Sequence, residues 1–363
     1  MRVAFDLHTL GKQATGNESY ARGLWKAMSS ISGSGLEMVG YGDRDTDAYA
    51  GFQSIRRLRP NYPLIRIPFT TPAAMWLDKI DIGHFQYTFP PFLKSKVVLT
   101  VHDVSYEKYP EFFNYGFVKR LKVTVPWMVR HSDHVIAVSE NTRKDILEIY
   151  NVDPNKVSVV YNGVSDIFYD REINVESQLG LLSPYILCVG NICHRKNQAR
   201  VVDVYSRLIS AGKIDCDLVL VGKLGVGGAQ IIEQISANQN SHRIHRLGFV
   251  SDRQLVSLYR SALFTLYPSL YEGFGIPVIE SMVSGVPVIT SNNSCLSEIS
   301  GNAAVLVDPR SDDELEAAIE SLFGNAELRA KLSKRGVERV RKFTWTAAAS
   351  STMDIYRRVG GGA

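Results

Sequence analysis

The sequence predicts an α/β protein made of two doubly wound, Rossmann-like domains. The chain has 363 residues, more than one ordinary domain holds. Short apolar runs alternate with amphipathic stretches, as expected for parallel β-α repeats. A polar stretch without periodicity at 170–183 separates two such series, so we expect an N-terminal domain at 1–172 and a second domain at 183–343.

The first series contains six apolar runs of strand length and three amphipathic stretches. In the last of these stretches Ser139 is suited to cap the helix, because its hydroxyl can accept from an unpaired backbone N–H. The predicted helices are Glu18–Ser30, Tyr115–His131 and Glu140–Tyr150. The predicted strands are Met1–Phe5, Glu37–Tyr41, Ile82–Phe85, Val97–Val101, His134–Ala137 and Val157–Val160.

The second series repeats this alternation and is followed by a separate helical stretch, Thr346–Val359, after the aromatic break at 343–345. Its predicted strands are Tyr185–Val189, Asp217–Val221, Ile244–Leu247, Ala262–Tyr267, Pro287–Thr290 and Ala304–Val307. Its predicted helices are Asn197–Ala211, Ala229–Asn238, Asp252–Ser261, Pro277–Ser284 and Ser311–Phe323.

Composition and charge indicate an ordinary globular protein, with 45% hydrophobic and 21% charged residues. A net charge of +4 gives no reason to expect nucleic acid as a partner. No uncharged apolar run approaches the roughly 18 residues of a membrane span, and Asp6 precedes any signal-peptide core. We therefore expect a cytoplasmic protein, soluble or peripheral to a membrane. Without a C-x-x-C spacing, buried reduced thiols are expected at Cys188, Cys193, Cys216 and Cys295.

The stretch Tyr271–Glu280 is the strongest candidate for a binding site. It follows an apolar strand and contains Gly273 and Gly275, whose backbone N–H groups can approach a ligand closely. Pro277 suits the first turn of a helix, where its missing N–H is no loss. Because a helix N-terminus carries partial positive charge, the loop is suited to a phosphate group.

Two carboxylates bracket this predicted anion site. Glu272 lies in the loop and Glu280 lies about one turn into the helix. Since a carboxylate beside a phosphate is electrostatically unfavourable, these groups are better suited to accept hydrogen bonds from sugar hydroxyls.

A second candidate loop, Gly190–Asn197, follows the first strand of the second series. Open α/β sheets bind ligands beyond the carboxyl ends of their strands, where this loop is expected. Arg195 can hold a phosphate with two hydrogen bonds, and Lys196 can neutralise it as a point charge. The alternative is a solvated basic turn. The glycine-rich segment Gly222–Gly228 is weak evidence by itself.

In the first domain, His102 ends a predicted strand and should lie at the ligand-facing edge of its sheet, although lone histidines are often structural. The loop Gly11–Asn17 lacks the G-x-G-x-x-G spacing of a dinucleotide site. The single Asp-x-Asp candidate for a divalent metal, Asp43-Arg44-Asp45, is interpreted as a solvated turn, so no metal and no cofactor is expected.

Taken together, these residues resemble glycosyltransferase family 4, a retaining group with the GT-B fold. The resemblance covers nearly the whole chain. Its most specific part is the E-x7-E motif, Glu272–Glu280, which continues into the helix end and strand at 284–290. Further similar segments are Val138–Thr142, Tyr161–Val164, Leu187–Asn197 and Phe343–Trp345.

The resemblance implies a fold and a set of roles. In GT-B proteins two Rossmann-like domains face an interdomain cleft, and a terminal helix, here 344–359, packs back on the acceptor-binding first domain. The implied catalytic residues are His102, Lys196 and Glu272. The implied donor-binding residues are Gly16, Arg195, Lys196, Glu272, Gly273, Phe274, Gly275, Ile276 and Glu280.

Within this set the resemblance places the donor sugar at Glu272, the distal phosphate at the 274–276 backbone and the nucleotide ribose at Glu280. One departure concerns the second cation. Many members have an arginine directly after the glycine at position 190, where this chain has Asn191, so Arg195 is the candidate replacement.

The implied function is transfer of a hexose from a sugar nucleotide to a saccharide acceptor in polysaccharide or lipopolysaccharide synthesis. Mannose from GDP-mannose is favoured, and a UDP-sugar is the competing donor. A non-catalytic nucleotide-sugar-binding protein and a sugar-nucleotide epimerase are less favoured. If the acceptor is lipid-linked, the basic clusters at 56–59 and 119–122 could face a membrane, although solvated faces explain them equally well.

Overall fold

The computed structural model describes residues 1–12, 16–31, 35–42, 52, 54–60, 62–173 and 184–361. The chain forms two compact units. The first comprises Met1–Val104, Gly116–Gly163 and Phe343–Ala363, and the second comprises Ser105–Tyr115 and Val164–Lys342. Most of the polar connection expected at 170–183 lies outside the described residues, and the chain passes from one unit to the other before it.

The described part of the first unit contains a seven-stranded sheet in which all strands run parallel, in the order β3-β2-β1-β4-β5-β6-β7. The order reverses beside β1 and β4, the arrangement at which open α/β sheets bind ligands at their carboxyl edge. The strands are β1 (Arg2–Asp6), β2 (Glu37–Gly42), β3 (Ile55–Arg57), β4 (Ile82–Gln86), β5 (Lys96–Val101), β6 (His134–Ala137) and β7 (Val157–Val159).

Helices connect these strands, and α6 shows how local sequence sets a boundary. Ser139 accepts a hydrogen bond from the Thr142 N–H, and Asn151 ends the helix in the left-handed region, so the predicted cap is confirmed. The helices are α1 (Gly16–Ser30), α2 (Pro63–Ile65), α3 (Thr71–Leu77), α4 (Ser105–Lys108, in the second unit), α5 (Tyr115–His131) and α6 (Glu140–Tyr150).

The described residues of the second unit form a six-stranded parallel sheet in the order β10-β9-β8-β11-β12-β13. Its strands are β8 (Tyr185–Val189), β9 (Asp217–Val221), β10 (Ile244–Gly248), β11 (Phe264–Tyr267), β12 (Val288–Ser291) and β13 (Val305–Val307). Its further helices are α7 (Gln198–Ser210), α8 (Gly228–Ala237), α9 (Asp252–Ser261), α10 (Ile276–Val283), α11 (Leu296–Ser300), α12 (Asp312–Gly324) and α13 (Ala326–Val340).

The terminal helix, α14 (Trp345–Val359), packs in the core of the first unit, as the sequence predicted. Thr344 caps it by accepting from the Ala347 N–H at 3.1 Å. Its apolar face, including Trp345 and Tyr356, shares one hydrophobic cluster with β1 and α1. The terminal segment is therefore part of the first unit, although about 180 residues of chain separate it from Gly163.

A buried polar network ties this helix to the sheet. The Tyr356 hydroxyl lies 2.6 Å from Nδ1 of His84 on β4, and Nε2 of His84 lies 2.7 Å from the Thr100 hydroxyl. Thr100 in turn lies 2.7 Å from the Tyr20 hydroxyl of α1. Burial lowers the pKa of His84 to about 3, so the imidazole is neutral near pH 7.

The structure also contains elements that the sequence did not predict. These are β3, which has only three residues, the stretch Pro63–Leu77, the short helices α4 and α11, and α13, whose surface is largely charged. All four cysteines are free thiols; three are buried as predicted, whereas Cys193 is partly exposed. No helix among the described residues is long and apolar enough to cross a membrane.

We expect Tyr356→Phe to lower the free energy of unfolding by about 1–3 kcal/mol, because it leaves Nδ1 of His84 buried without a partner. Urea unfolding followed by far-UV circular dichroism would measure the change. Tyr115→Phe, which removes the hydroxyl of an exposed tyrosine, is the control. An unchanged midpoint for Tyr356→Phe would contradict the role given to this network.

Candidate active site

The loop that joins β11 to α10 has the backbone that the sequence predicted for an anion site. Gly275 caps the helix with φ +91°, and a Cβ there would lie 2.6 Å from Cδ2 of Leu296, so only glycine fits. The helix begins at Ile276, with Pro277 in its first turn. At this N-terminus Pro277 has no N–H and the Val278 N–H donates to the Gly275 carbonyl at 3.0 Å, so the Ile276 N–H and the partial positive charge of the helix end remain to receive an anion.

Glu272 lies in this loop as a buried carboxylate between two cations. Its Oε2 is 2.7 Å from Nη1 of Arg195, and its Oε1 is 2.7 Å from Nζ of Lys196. Burial alone would raise the pKa of Glu272, but the two cations outweigh it and lower the pKa to about 2. The structure thus brings together three predicted site residues from two separate loops, and Glu272 is ionised at neutral pH.

The loop that carries the two cations is held by backbone contacts. A short 3-10 turn, His194–Lys196, is followed by Asn197 in the left-handed region at φ +62°. The Asn197 amide donates to the carbonyls of Pro268 and Pro309, at 3.1 and 2.7 Å. Arg195 also donates to the Tyr271 carbonyl at 2.8 Å. These bonds fix the cations against the Glu272 loop.

Lys196 has a further partner that the sequence analysis did not identify. Its Nζ donates to the hydroxyl of Tyr267 and lies 4.4 Å from the centre of that ring. Burial lowers the pKa of Lys196, and Glu272 opposes that shift. Burial also raises the pKa of Tyr267 well above its usual range, so this hydroxyl stays protonated. Because Tyr267 ends β11, its position at the ligand-facing edge was the signal available in the sequence.

The glycine-rich segment after β9 has a structural role. Gly222 adopts φ +143°, and a Cβ on it would lie 2.1 Å from the carbonyl oxygen of Gly190. The Gly190 N–H donates to Val221 at 2.8 Å, so the loops after β8 and β9 lie in direct contact. Gly222 thus permits the close contact between the two loops, and this contact positions the loop that bears Lys196. Nothing in the structure assigns a ligand to Gly222–Gly228.

Glu280, in α10, has an environment opposite to that of Glu272. It is partly buried, and its Oε2 accepts a hydrogen bond from the Tyr259 hydroxyl at 3.0 Å. Removal from water raises its pKa to about 7, which the Tyr259 hydrogen bond only partly offsets. This carboxyl group therefore changes charge near neutral pH. Tyr259, on α9, is a second site residue that the sequence analysis missed.

Polar side chains after β12 hold the Glu272 loop in place. The Ser291 hydroxyl donates to the Ser269 carbonyl at 2.6 Å, and the Asn293 amide donates to the Leu270 carbonyl at 2.9 Å. The Glu272 N–H donates to the Ser294 hydroxyl at 3.3 Å. Because β11 and β12 are parallel neighbours, their carboxyl ends meet at one edge. That rule could have found this support from the sequence.

In the first unit, His102 follows β5 at the carboxyl edge, as predicted. It is buried, and its Nε2 lies 2.8 Å from Oε1 of Gln86, the last residue of β4. Burial lowers its pKa to about 3, so the ring is neutral. Since Oε1 can only accept, Nε2 carries the proton and Nδ1 is an acceptor.

Two further predictions concern the first unit: Gly16 as a donor-binding residue and the Asp-x-Asp pair as a solvated turn. Gly16 begins α1 in an exposed position, and the preceding residues 13–15 lie outside the described part of the chain. Asp43 and Asp45 also lie outside it. Among the residues that are described, no group of three His, Cys, Asp or Glu side chains is suited to hold a metal ion.

Two family models match adjacent parts of the chain. The model described as "Glycosyltransferase Family 4" matches residues 31–166, and the model described as "Glycosyl transferases group 1" matches residues 170–339.

Similar curated proteins include two mannosyltransferases. O-antigen chain mannosyltransferase B of Escherichia coli is 26% identical over 76% of this chain and 74% of its own length. O-antigen chain mannosyltransferase RfbU of Salmonella typhimurium is 29% identical over 64% of this chain and 62% of its own length. The chain thus matches less than two thirds of the second relative.

Solved structures show the same architecture along the whole chain. Sucrose-phosphate synthase from Thermosynechococcus elongatus has a TM-score of 0.81 at 20% identity and covers 100% of both chains. Anabaena Alr3699/HepE in complex with UDP-glucose has a TM-score of 0.76 at 16% identity, over 99% of this chain and 100% of its own. At this identity the likeness shows the fold, which is GT-B.

We expect Glu280→Gln to change how stability depends on pH. The folded-state pKa of about 7 lies above the ordinary value of 4.5, so wild-type protein loses stability as pH rises from about 4.5 through about 7. The glutamine variant lacks that loss and should be more stable than wild type at about pH 8, with little difference near about pH 4.5. Urea unfolding at both pH values measures this.

The control for this experiment is Glu327→Gln, at an exposed position in α13. It should leave the pH dependence of wild type intact. If Glu280→Gln and wild type lost stability in parallel between those pH values, Glu280 would not be the titrating group.

Proposed function

Because this chain belongs to glycosyltransferase family 4 and is a hexosyltransferase, we propose that it transfers mannose from GDP-mannose to a saccharide acceptor. The product would be a surface polysaccharide or lipopolysaccharide. Support for mannose comes from the two O-antigen mannosyltransferases to which the chain is similar. The observation that carries the proposed transfer chemistry is the buried Glu272 held between Arg195 and Lys196.

In the proposed donor complex, the diphosphate exchanges ion pairs with this cluster. Two cations and one carboxylate leave a net charge of about +1 in a buried place, which favours an anion. As the diphosphate takes hydrogen bonds from Lys196 and Arg195, oxygens of Glu272 become available to hydroxyls of the sugar. The N-terminus of α10 supplies the Ile276 N–H and partial positive charge for the distal phosphate, so no metal ion is required in this proposal.

Glu280 is proposed to hold the ribose of the nucleotide. Its ionised carboxylate can accept hydrogen bonds from two neighbouring hydroxyls, and the Tyr259 hydroxyl at 3.0 Å fixes its orientation. A UDP-sugar carries the same ribose and diphosphate as GDP-mannose. These contacts therefore do not discriminate the base, and UDP-sugars remain the competing donors.

The proposed reaction retains the anomeric configuration by substitution on one face of the sugar. The bond between the anomeric carbon and the phosphate oxygen breaks, and the acceptor oxygen bonds to that carbon on the same face. The departing phosphate oxygen accepts the acceptor's proton. Lys196, Arg195 and the loop N–H groups stabilise the charge on the leaving diphosphate, chiefly as preorganised electrostatics.

His102 is proposed to position the transferred sugar. Because its Nε2 proton is directed to Gln86, its Nδ1 can accept a hydrogen bond from a sugar hydroxyl. Its low pKa keeps the imidazole ring neutral near pH 7. The acceptor is proposed to be a lipid-linked saccharide, which would place the enzyme at the cytoplasmic face of a membrane as a peripheral protein.

We expect Lys196→Met to lower kcat by about a hundredfold to a thousandfold, because it removes the cation proposed to stabilise the leaving diphosphate. Glu272→Gln should reduce transfer by a similar order, since it removes the negative charge between Arg195 and Lys196 and replaces one acceptor oxygen with an amide donor. Mass spectrometry of GDP release and of glycosylated product measures both. Lys331→Met, at an exposed position in α13, is the matched control. Transfer near the wild-type rate in both site variants would reject this assignment.

A donor screen tests which sugar and which base the enzyme uses, and it does so independently of the assignment of site residues. GDP-mannose, GDP-glucose, UDP-glucose and UDP-galactose would be compared by mass spectrometry of the transferred residue. Preference for GDP-mannose supports the proposal, and turnover of a UDP-sugar alone would replace it with the competing donor. Binding by isothermal titration without any turnover would instead indicate a nucleotide-sugar-binding protein.

A further inference from the structure

Tyr267, the last residue of β11, adjoins both parts of the candidate diphosphate site. Its side chain is buried, with 3% of the residue exposed. Its hydroxyl accepts a hydrogen bond from Nζ of Lys196. A Cβ on Gly275 would lie only 3.8 Å from Cε1 of Tyr267, so the ring also packs near the glycine that caps α10. Tyr267 thus lies beside the cation and beside the helix start that are both proposed to hold the diphosphate.

The Tyr267 hydroxyl also lies within hydrogen-bonding reach of the Glu272 carboxylate. Because an ionised carboxylate can only accept, the hydroxyl is the donor toward Glu272 while its lone pair accepts from Lys196. Burial and the negative charge of Glu272 raise the pKa of Tyr267 well above its usual range, so the hydroxyl keeps the proton that this arrangement needs. Lys196 and Glu272 pair directly at 2.7 Å, which closes a triangle of three side chains.

Binding of the diphosphate changes the partners of this triangle. In the proposed donor complex Lys196 turns from Glu272 to a phosphate oxygen, and a buried carboxylate that loses a donor is costly. The Tyr267 hydroxyl stays beside Glu272 through this exchange, because its buried ring cannot follow the ammonium group. An ammonium group has three N–H donors, so Lys196 can keep its hydrogen bond to Tyr267 while it binds a phosphate.

We propose that Tyr267 is a positioning residue for transfer, whose hydroxyl holds Lys196 for the leaving diphosphate and keeps Glu272 directed at the sugar. It acts through these two side chains and does not contact the reacting atoms. This inference rests on the proposed function, because it refers to the proposed position of the donor. Since the departing phosphate oxygen gains negative charge as its bond to the sugar breaks, the hydroxyl matters more in the transition state than in the donor complex.

The first test removes only the hydroxyl. Tyr267→Phe keeps the ring and its contact with the ammonium group. We expect kcat to fall about tenfold to a hundredfold, the range for one buried hydrogen bond to a charged group, with KM for the sugar nucleotide nearly unchanged. Mass spectrometry of nucleotide release and of product measures both constants. Tyr115→Phe, at an exposed position, is the matched control. A kcat equal to that of wild type would overturn the inference.

A double-mutant cycle separates positioning from a loss of packing. If Tyr267 acts through Lys196, adding Tyr267→Phe to Lys196→Met should lower kcat little beyond the effect of Lys196→Met alone. The melting temperature of Tyr267→Phe should stay near that of wild type. If the two losses in kcat multiplied, or if kcat fell only as the folded fraction fell, Tyr267 would be a packing residue and the inference would be wrong.

The pH profile of kcat is a readout that packing alone would not change. Lys196 must be protonated to stabilise the leaving diphosphate, and burial already lowers its pKa. A hydrogen bond from the ammonium group to the Tyr267 hydroxyl favours the protonated form, so Tyr267→Phe should lower that pKa further. The alkaline limb of kcat should therefore move to lower pH.

Other titratable or charged groups also face Lys196, and Tyr267→Phe leaves all of them in place. They are Glu272, Glu280, Arg195, Cys188 and Cys193. Because they are the same in both proteins, a shift of the alkaline limb reports the hydroxyl. An alkaline limb at the wild-type pH would contradict the role given to it.

Binding of the free nucleoside diphosphate separates this inference from the proposed function. GDP or UDP, whichever wild type binds, carries the charge of the departed diphosphate, so Tyr267→Phe should weaken its binding by about tenfold in isothermal titration. If wild type bound the diphosphate but transferred no sugar, the proposed function would fail, and weaker binding by Tyr267→Phe would still support the positioning role. Equal affinities in the two proteins, with transfer by wild type intact, would overturn the positioning role alone.

Discussion

A carboxylate between two cations, Glu272 with Arg195 and Lys196, is the constraint on which the second unit's site depends. Each of these charges would be costly to bury alone, and together they neutralise one another except for about one positive charge. The cations stand on the loop after β8 and the carboxylate on the loop after β11, which are adjacent strands. The cluster therefore joins two loops and keeps an attraction for an anionic ligand.

The two carboxylates of the E-x7-E motif show how environment separates chemically identical groups. Glu272 has two cations at 2.7 Å, which hold its pKa at about 2. Glu280 has a tyrosine hydroxyl and partial burial, which leave its pKa at about 7. Glu272 is ionised over the whole physiological pH range, whereas Glu280 changes charge near pH 7. This difference suits the proposal that the two carboxylates contact different ends of one donor.

The first unit combines a core that follows the usual rules of burial with one segment that departs from them. Its core follows them, since the apolar face of α14 packs on α1 and the buried polar groups of His84, Thr100 and Tyr356 pair with one another. The segment 62–77 breaks them by turning Arg66 inward and Leu64 outward.

The sequence by itself determined the two α/β series, the bounds of helices such as α5, α6 and α9, and the loop and helix start at 271–280, because periodicity, caps and prolines in the first helical turn act within a few residues. Tertiary structure decided the rest. The pairing of Glu272 with Arg195 spans about 77 positions and the contact of Tyr356 with His84 spans 272, so no local pattern reports them. The ion pair of Arg66 with Asp6 likewise joins residues that are 60 positions apart. Side-chain partners brought together by sheet order cannot be read from spacing along the chain.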